Sequence, residues 1–419
     1  MRLPRTSPIP RGDGVLDSAA PSGARKGAGP PMRAFAVRVV LVTALVVTPA
    51  GGWAQPADAV PERLSPHPAA AAVRPAGTPR QVSILGSGDI LVHPPTWRQA
   101  RADARAAGRS GYDFDPIFAS IRPTVESADL AICHLEAPMG PGEPKDFRRF
   151  RAPTDLAAAV RTAGYDTCST ASNHALDQGE QGVYDNLDAL DAAGLRHTGT
   201  FRSATEQATP TTYQVNGVKI GHLSWAMNFN DLEPPAGKAW LANRIDVAAI
   251  RAAAAATRKA GAQIIVLSAH WGTEMRHPPD GEQQSWARQL IADPNIDLII
   301  GHHAHVVQPF ERAGDKWIAY GVGNTLARHD FPKDANREGV LAKFTFSERP
   351  DGRWVASQAE AIPIWLSLEP TIRVLDLPRT LRHLPAGDRR RARYTAATDR
   401  ITGYLDSRGA LAAGLHVRR

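Results

Sequence analysis

The chain has only two cysteines, Cys133 and Cys168, among 419 residues. The lack of cysteine ligands argues against a closed structural zinc site. Both cysteines lie in apolar, strand-like runs where small buried thiols are at home, and a disulfide is the alternative that export would allow. Aromatic residues (6%) and charged residues (22%) are also few, whereas 43% hydrophobic residues and this length allow one large domain or two ordinary ones.

The body of the chain has little excess charge. The formal net charge is +7, but residues 1–80 hold ten Arg or Lys and four Asp or Glu, so +6 belongs to this segment and +1 to the remaining 339 residues. A near-neutral body argues against binding to a polyanion through charge alone. We therefore expect no nucleic acid among the partners.

The N-terminus resembles a targeting segment. A basic stretch over 32–38 precedes an apolar run over 39–47, and the small residues Gly52 and Ala54 precede a potential cleavage site. This order is typical of a secretory signal peptide, and the apolar run is too short for a confident membrane span. We predict an N-terminal extension and signal peptide over 1–54 and a secreted or cell-surface protein. The alternative is that the signal segment stays uncleaved and anchors the protein, which would then be its only predicted contact with the membrane.

The remainder divides into three parts. Residues 55–80 are rich in Pro and Ala without a periodic apolar pattern, which predicts a flexible linker. Over 81–365, strand-like runs alternate with helical stretches, and this alternation predicts an α/β domain. Residues 366–419 form a weakly specified tail, in which the run Arg389 to Arg391 indicates a solvated surface rather than a binding site.

Five strand-like runs each end in residues that bind metals or move protons. In chain order these are Asp89, Glu136, Asn173 with His174, His270, and the group His302, His303 and His305. Loops from several strands of an α/β sheet converge at the carboxyl ends of those strands, so we expect these side chains to meet. Mixed oxygen and nitrogen donors suit Mn, Fe or Zn, or a pair of these ions.

A pair of divalent ions accounts for the whole set. Two ions about 3.5–4 Å apart need a bridging carboxylate and terminal His and Asn ligands, and a nearby His can protonate a leaving group. Each residue alone has an ordinary alternative, since Asp89 can simply end a strand and Asn173 can belong to a turn. Three histidines within four residues after a buried strand are rarely structural, and the combination favours a metal site.

The segments that carry these residues resemble the poly-gamma-glutamate capsule biosynthesis protein family (CapA-like), a branch of the calcineurin-like metallophosphoesterase superfamily. The resemblance runs in order from about residue 82 to residue 330. It rests on Gly88 to His93, His134 to Glu136, Ala171 to Gly179, His270 to Glu274, Gly301 to Gln308 and Tyr320 to Asn324.

The resemblance implies a four-layer αββα sandwich of two mixed sheets, with a dinuclear metal site at one edge. The catalytic residues it indicates are Asp177 and His174, with His174 as the acid that protonates the leaving group. Glu136 would be the bridging carboxylate. The implied metal ligands are Asp89, His93, Glu136, Asn173, His270, His303 and His305.

Several positions depart from the family pattern. His93 lies four residues after Asp89 where the superfamily spacing is two, which leaves its ligand role and the second ion open. His134 replaces a usual Asn and is either an added ligand or a neutral substitution. Ser172 also replaces an Asn, and the changes at Gly321 and Thr325 alter the pocket.

Two functions follow from the resemblance. The first is an exported metal-dependent hydrolase of the metallophosphoesterase type, acting on a phosphoester or a gamma-glutamyl amide in poly-gamma-glutamate or capsule metabolism. Its partner would be an anionic polymer or a phosphoester substrate. The second is a non-catalytic surface accessory protein of capsule synthesis and export, which binds polymer or the polymer-synthesis proteins of the cell envelope.

Overall fold

The computed structural model describes residues 79–329 and 333–419. The predicted signal peptide and the linker up to residue 78 lie outside the described residues. No helix within the two described ranges is long and apolar enough to cross a membrane.

Strands and helices alternate along much of this region. The strands are β1 (Gln81–Leu91), β2 (Leu130–Leu135), β3 (Thr167–Ser169), β4 (Arg196–Thr198), β5 (Thr212–Val215), β6 (Val218–Ala226), β7 (Ile264–His270), β8 (Leu298–His302), β9 (Phe310–Ala313), β10 (Lys316–Ala319), β11 (Asn324–Ala327), β12 (Glu338–Glu348), β13 (Trp354–Ser367), β14 (Arg373–Asp376) and β15 (Leu415–Val417). The α-helices are α1 (Pro94–Ala106), α2 (Asp115–Phe118), α3 (Arg122–Val125), α4 (Asp155–Thr162), α5 (Gly179–Ala192), α6 (Ala204–Ala208), α7 (Val247–Lys259), α8 (Gly281–Ile291), α9 (Leu377–His383) and α10 (Arg390–Asp406). Single-turn 3-10 helices span Ala239–Leu241 and Asp334–Arg337.

The strands form two mixed sheets. The first has the order β14-β13-β12-β1-β2-β3-β4, with β11 beside β1 and β15 beside β13, and the second has the order β5-β6-β7-β8-β10-β9. Strands β1 to β4 are parallel, as are β6, β7, β8 and β10. Because parallel strands end at the same edge, the residues that follow them are brought together.

Alternating side chains in β7 show how the layers stack. Ile264 and Val266 pack into a core shared with β1 and β2, which lies between the two sheets. Ile265 and Leu267 point to the other face and pack with α7 and α8. A further core lies between the first sheet and helices α1 to α5. This arrangement confirms the predicted four-layer αββα sandwich of two mixed sheets.

Local sequence explains two details of the elements. Asn216 and Gly217 join β5 to β6 with φ angles of 49° and 76°, the left-handed conformation that a tight hairpin turn requires. Two short helices, α2 and α3, follow each other before β2, each with a proline in its first turn. Proline has no N–H to continue a helix, so Pro123 begins a new one.

The C-terminal segment is part of the first sheet, unlike the weakly specified tail predicted over 366–419. Strand β13 continues across the predicted boundary at residue 365, and both β14 and β15 pair with it. Helix α10 packs Tyr394 and Ile401 into the core between the sheets, and Arg400 pairs with the buried carboxylate of Glu338. Arg389 and Arg390, at the start of α10, are exposed.

Cys133 and Cys168 are joined by a disulfide. They are paired neighbours on β2 and β3, with Cα atoms 4.5 Å apart, a separation that a disulfide spans. The apolar surroundings that favoured unpaired thiols are equally compatible with a buried crosslink, and the pairing of β2 with β3 decides between the two alternatives.

Removing this disulfide should destabilise the protein while preserving its fold. The bond joins cysteines 35 residues apart. Chain entropy gives a loop of that length a stabilisation of about 4 kcal/mol. We expect the Cys133→Ala/Cys168→Ala variant to lose an amount of this order in urea unfolding followed by circular dichroism. Dithiothreitol should lower the stability of the wild type and leave the variant unchanged. Equal unfolding midpoints for the two oxidised proteins would contradict this expectation.

Candidate metal centre

The predicted metal ligands lie on strands of both sheets, or directly after them, at one edge of the sandwich. Asp89 lies in β1, Glu136 directly follows β2, and Asn173 follows β3 by four residues. From the second sheet, His270 ends β7, and the histidines of 302–305 stand at and just beyond the end of β8. All of these side chains are buried. The structure therefore brings together six of the seven predicted metal ligands.

Two glycines allow the chain to approach closely at this edge. A Cβ atom at Gly88 would lie 2.0 Å from the carbonyl oxygen of Gly323, and the neighbouring N–H of Asp89 donates to that same oxygen at 3.0 Å. A Cβ atom at Gly301 would lie 1.8 Å from the carbonyl oxygen of Tyr320. Larger residues would force these contacts apart and displace the ends of β1 and β8.

Carboxylate and imidazole donors form three groups whose ligand atoms lie within 4.8 Å of one another. The groups are Asp89 with Glu136 and His305, Glu136 with His270 and His303, and Asp89 with His134 and His270. The first two groups share Glu136. The amide oxygen of Asn173 lies 2.9 Å from Nε2 of His270, next to the second group. A carboxylate shared by two donor groups is the arrangement that a bridging ligand requires.

The two carboxylates differ in their protein partners. Neither oxygen of Glu136 accepts a hydrogen bond from the described residues, and burial raises the pKa of Glu136 well above its usual range despite the nearby His305. Asp89 accepts from the backbone N–H of His303 at 3.1 Å. Burial favours a higher pKa for Asp89, but its contacts with His302 and His305 outweigh burial and lower the pKa well below its usual range.

The pKa shifts of the histidines indicate that the site needs positive charge. Burial lowers the pKa of His134 and His270 well below the usual range and that of His303 to about 3, so these rings are in the neutral form that binds metals. Burial acts to lower the pKa of His305 as well, but Glu136 and Asp89 raise it to about 10. The two carboxylates thus call for a cation beside them. Together with the unpartnered oxygens of Glu136, this donor set fits a divalent metal ion.

The turn after β8 holds two histidines in an unfavourable backbone conformation. His303 and His305 have φ angles of 84° and 54°, in the left-handed region that residues other than glycine rarely adopt. Such positions cost about 1–3 kcal/mol each and cluster at functional sites. The hydrogen bond from His303 N–H to Asp89 and the contact of His305 Nδ1 with Asn324 Oδ1 at 2.9 Å hold this turn.

His174 and Asp177 form a hydrogen-bonded pair beside the donor groups. His174 Nδ1 lies 2.8 Å from Asp177 Oδ2, which also accepts from the N–H of Phe150 at 2.8 Å. Ser172 Oγ donates to the Glu136 carbonyl at 2.6 Å and accepts from the His174 N–H at 3.1 Å. Because Asp177 engages Nδ1–H, Nε2 of His174 is the atom left to exchange a proton.

His93 is the one predicted ligand that is neither a member of the three donor groups nor, like Asn173, hydrogen-bonded to a member of them. Its Nδ1 lies 3.0 Å from the carbonyl oxygen of Leu91, and the residue is the N-cap of α1. His329 contacts both His93 and His305, with ring centroids 5.0 and 4.7 Å apart. The four-residue spacing from Asp89 carries His93 out of β1 and into the turn before α1.

Three buried or half-buried histidines, His134, His302 and His329, lie at the site in addition to the seven predicted ligands. His134 belongs to the third donor group, and its ring stacks on that of His302 with centroids 3.9 Å apart. Burial lowers the pKa of His329 to about 2. His134 and His302 stand inside the motifs already noted, whereas His329 follows β11 without any pattern that marks it.

Replacing Glu136 by Gln should distinguish the effect of the buried carboxylate on stability from its role in metal binding. Without metal, the raised pKa of Glu136 destabilises the folded protein at neutral pH, because folding either protonates this carboxyl or buries its charge. Gln removes this cost, so we expect the free energy of unfolding at pH 7 to rise by about 1–3 kcal/mol. With Mn or Zn present, the wild type should gain thermal stability and Glu136→Gln should gain little. Calorimetry with and without EDTA measures both effects.

Glu338 provides the matched control for this prediction. It is also a buried carboxylate, but it pairs with Arg400 and belongs to none of the three donor groups. Glu338→Gln should leave the metal-induced gain in stability unchanged. An undiminished gain in Glu136→Gln would contradict the assignment of Glu136 as a shared ligand.

Solved structures to which this chain is similar include a calcineurin-like phosphoesterase and an NAD nucleotidase. The calcineurin-like phosphoesterase YfkN from Bacillus subtilis has a TM-score of 0.41 at 13% identity and covers 77% of this chain and 96% of that chain. The NAD nucleotidase NadN of Haemophilus influenzae has a TM-score of 0.42 at 12% identity, and the match covers 78% of this chain and 60% of the nucleotidase chain.

Sequence relatives carry names from capsule and polymer synthesis. The chain is 25% identical over 305 residues to the capsule biosynthesis protein CapA of Bacillus anthracis, covering 69% of this chain and 72% of that protein. It is 26% identical to the PGA biosynthesis protein CapA of Bacillus subtilis, covering 57% of this chain and 63% of the relative, just under two thirds of its length. It is 27% identical to a probable polyglutamine synthesis accessory protein of Mycobacterium tuberculosis, and the match covers 60% of this chain and 76% of that protein.

A family model described as bacterial capsule synthesis protein PGA_cap matches residues 83–329, more than half of the chain. This span runs from β1 to His329 and contains all the residues of the metal centre. The chain therefore belongs to the bacterial capsule synthesis protein PGA_cap family.

Proposed function

We propose that this chain is an exported metal-dependent hydrolase that cleaves a phosphoester or a gamma-glutamyl amide in poly-gamma-glutamate or capsule polymer metabolism. The observation that carries the proposal is Glu136, a buried carboxylate that two donor groups share, beside the His174–Asp177 pair. The names of the Bacillus relatives support the process, and the hydrogen-bonded donor set supports the chemistry.

The donor groups support two divalent ions, with Mn, Fe and Zn as the candidates for this mixture of oxygen and nitrogen ligands. One ion would be held by Asp89, Glu136 and His305, and the other by Glu136, Asn173, His270 and His303. When bound, such ions lower the pKa of an attacking water and balance the charge of the transition state.

His174 has the geometry of the proton donor to the leaving group. Asp177 holds the ring through Nδ1, and the N–H of Phe150 fixes the same carboxylate oxygen. The Phe150 ring packs edge-on against His174 with centroids 4.8 Å apart, which limits the orientations of the imidazole. With Nδ1 engaged, Nε2 delivers the proton, and a carboxylate behind the ring stabilises the charged imidazolium before that transfer.

Export is supported by two independent features. An N-terminal extension and signal peptide are predicted over 1–54, and the Cys133–Cys168 disulfide is a bond that persists in oxidising compartments. Expression of the full chain in its host, followed by N-terminal sequencing of the protein from the medium and the cell envelope, tests this part. A reduced, uncleaved protein in the cytoplasm would contradict export.

His174→Ala should abolish turnover while the protein keeps its metal. We expect kcat to fall by about 10²–10⁴-fold, the contribution of a positioned general acid. The assay is hydrolysis of bis(p-nitrophenyl) phosphate and of poly-gamma-glutamate by protein loaded with Mn, Fe or Zn, with metal content measured by mass spectrometry. Asp177→Asn should cause a smaller loss, because the ring remains but its supporting charge is gone.

His270→Ala is the contrasting variant. It removes an imidazole that belongs to two of the donor groups, so metal content and activity should fall together. If the metal-loaded wild type cleaves neither substrate class, or if His174→Ala retains full activity, the hydrolase proposal is wrong.

The accessory protein named among the mycobacterial relatives motivates a second candidate, a surface protein that binds anionic polymer or polymer-synthesis proteins without turnover. A host strain that carries His174→Ala distinguishes the two candidates. Normal polymer production would favour the accessory role, whereas a change in polymer amount or length would favour the hydrolase.

A further inference from the structure

A chain of hydrogen bonds leads from the metal centre into the first sheet. His270 Nδ1 lies 2.9 Å from His134 Nε2, and His134 Nδ1 lies 2.8 Å from Ser169 Oγ. The hydroxyl of Ser169 donates to the carbonyl oxygen of Cys133 at 3.2 Å. His270, His134 and Ser169 are all fully buried, so water does not compete for these bonds.

The direction of each bond follows from the last one in the chain. A hydroxyl has one hydrogen, and since Ser169 donates it to Cys133, Ser169 accepts from Nδ1–H of His134. A neutral His134 with its hydrogen on Nδ1 has a lone pair on Nε2 and accepts from Nδ1–H of His270. The lone pair of His270 is then on Nε2, and it faces the amide oxygen of Asn173, also an acceptor, at 2.9 Å. Two acceptors this close repel each other, so this tautomer belongs to the state in which a metal ion binds both atoms.

We propose that His134 is a positioning residue that accepts the Nδ1–H of His270 and thereby holds His270 in the tautomer whose Nε2 binds metal. The inference rests on the metal centre of the proposed function and not on any reaction at that centre. Metal-binding histidines usually donate their second ring N–H to a carboxylate, a carbonyl or water. Here a second imidazole, on the neighbouring sheet, accepts that hydrogen.

The geometry favours this role over direct ligation by His134. Nε2 of His134 is 2.9 Å from His270 but 3.9 Å from the nearer carboxylate oxygen of Asp89. Both ring nitrogens of His134 already have partners, so a metal ion at Nε2 would displace the bond to His270. The ring is also stacked on His302 with planes 12° apart, which fixes its orientation.

The disulfide stabilises the register on which this chain depends. His134 pairs with Ser169 across β2 and β3, and Cys133 pairs with Cys168 at the preceding position. A covalent bond one residue away therefore keeps the hydroxyl of Ser169 opposite the ring of His134.

Nitrogen NMR of the wild type tests the proposal directly. Protein labelled with ¹⁵N in histidine and loaded with ¹¹³Cd²⁺ should carry protons on Nδ1 of both His134 and His270. Coupling between cadmium and nitrogen should appear at Nε2 of His270 and be absent from His134. Coupling at His134, or a proton on Nε2 of His270, would overturn the proposal.

Substitutions of His134 test its positioning role through their effect on Zn²⁺ affinity. His134→Phe keeps a stackable ring without an acceptor, and its Zn²⁺ affinity should fall by about 10–100-fold, the usual effect of losing such a partner. His134→Gln places an amide oxygen near the position of Nε2 and should bind Zn²⁺ nearly as well as the wild type. Competition with a chromogenic chelator measures the affinities. Wild-type affinity in His134→Phe, or an equal loss in His134→Gln, would contradict the positioning role.

His222 is the matched control, because it is a fully buried histidine bonded to a serine, Ser268, at 3.0 Å, outside the chain that leads to His270. His222→Phe should lower the stability of the protein and leave its Zn²⁺ affinity unchanged. An equal loss of affinity in His222→Phe would show that burial of an imidazole, and not its bond to His270, is what matters. None of these measurements uses a substrate, so an absence of hydrolysis would refute the proposed function and leave this inference standing.

Discussion

The burial of two carboxylates, Asp89 and Glu136, is the constraint on which the site depends. An ionised group removed from water costs several kcal/mol unless an opposite charge or hydrogen bonds compensate. Asp89 has imidazoles and a backbone N–H around it, but Glu136 accepts no hydrogen bond from the described residues and has His305 Nε2 only at 3.5 Å. The pair therefore needs a cation, and the raised pKa of His305 shows how strongly the surroundings attract one. A metal ion would meet this need without a proton, and this is the physical basis for the candidate centre.

The sequence was sufficient to group the candidate ligands that lie within an apolar strand or directly after one. Asp89, Glu136 and His270 stand within or next to β1, β2 and β7, so the convergence of parallel strands placed them correctly together. His93 was harder to place, because spacing along the chain does not show that α1 begins at residue 94 and turns the chain away. His329 lies beyond β11, where no periodicity exists to mark it. Pairings that depend on register, such as Cys133 with Cys168, also require the three-dimensional structure.

The C-terminal segment illustrates a different limit. Helix α10 is rich in Arg and shows little separation of polar and apolar faces, so its pattern suggested a solvated tail. In the structure, Tyr394 and Ile401 pack between the sheets, and the ring of Tyr404 stacks on His277 with centroids 3.6 Å apart. Residue 277 belongs to the loop that follows His270. The segment therefore packs against the loop between β7 and α8, and its burial depends on tertiary partners that local sequence does not reveal.

A common geometry organises the histidines of the centre. His174, His270 and His305 each have Nδ1 engaged by a protein group, respectively Asp177, His134 and Asn324, which leaves Nε2 for the site. His303 is the exception, since its Nδ1 has no hydrogen-bond partner in the described ranges. Its orientation depends instead on the left-handed backbone at residue 303, and the N–H of that residue donates to Asp89. Asp89 therefore serves both of the donor groups that share Glu136. It is a ligand candidate in the group with His305, and its bond to the N–H of His303 holds that residue in place for the other.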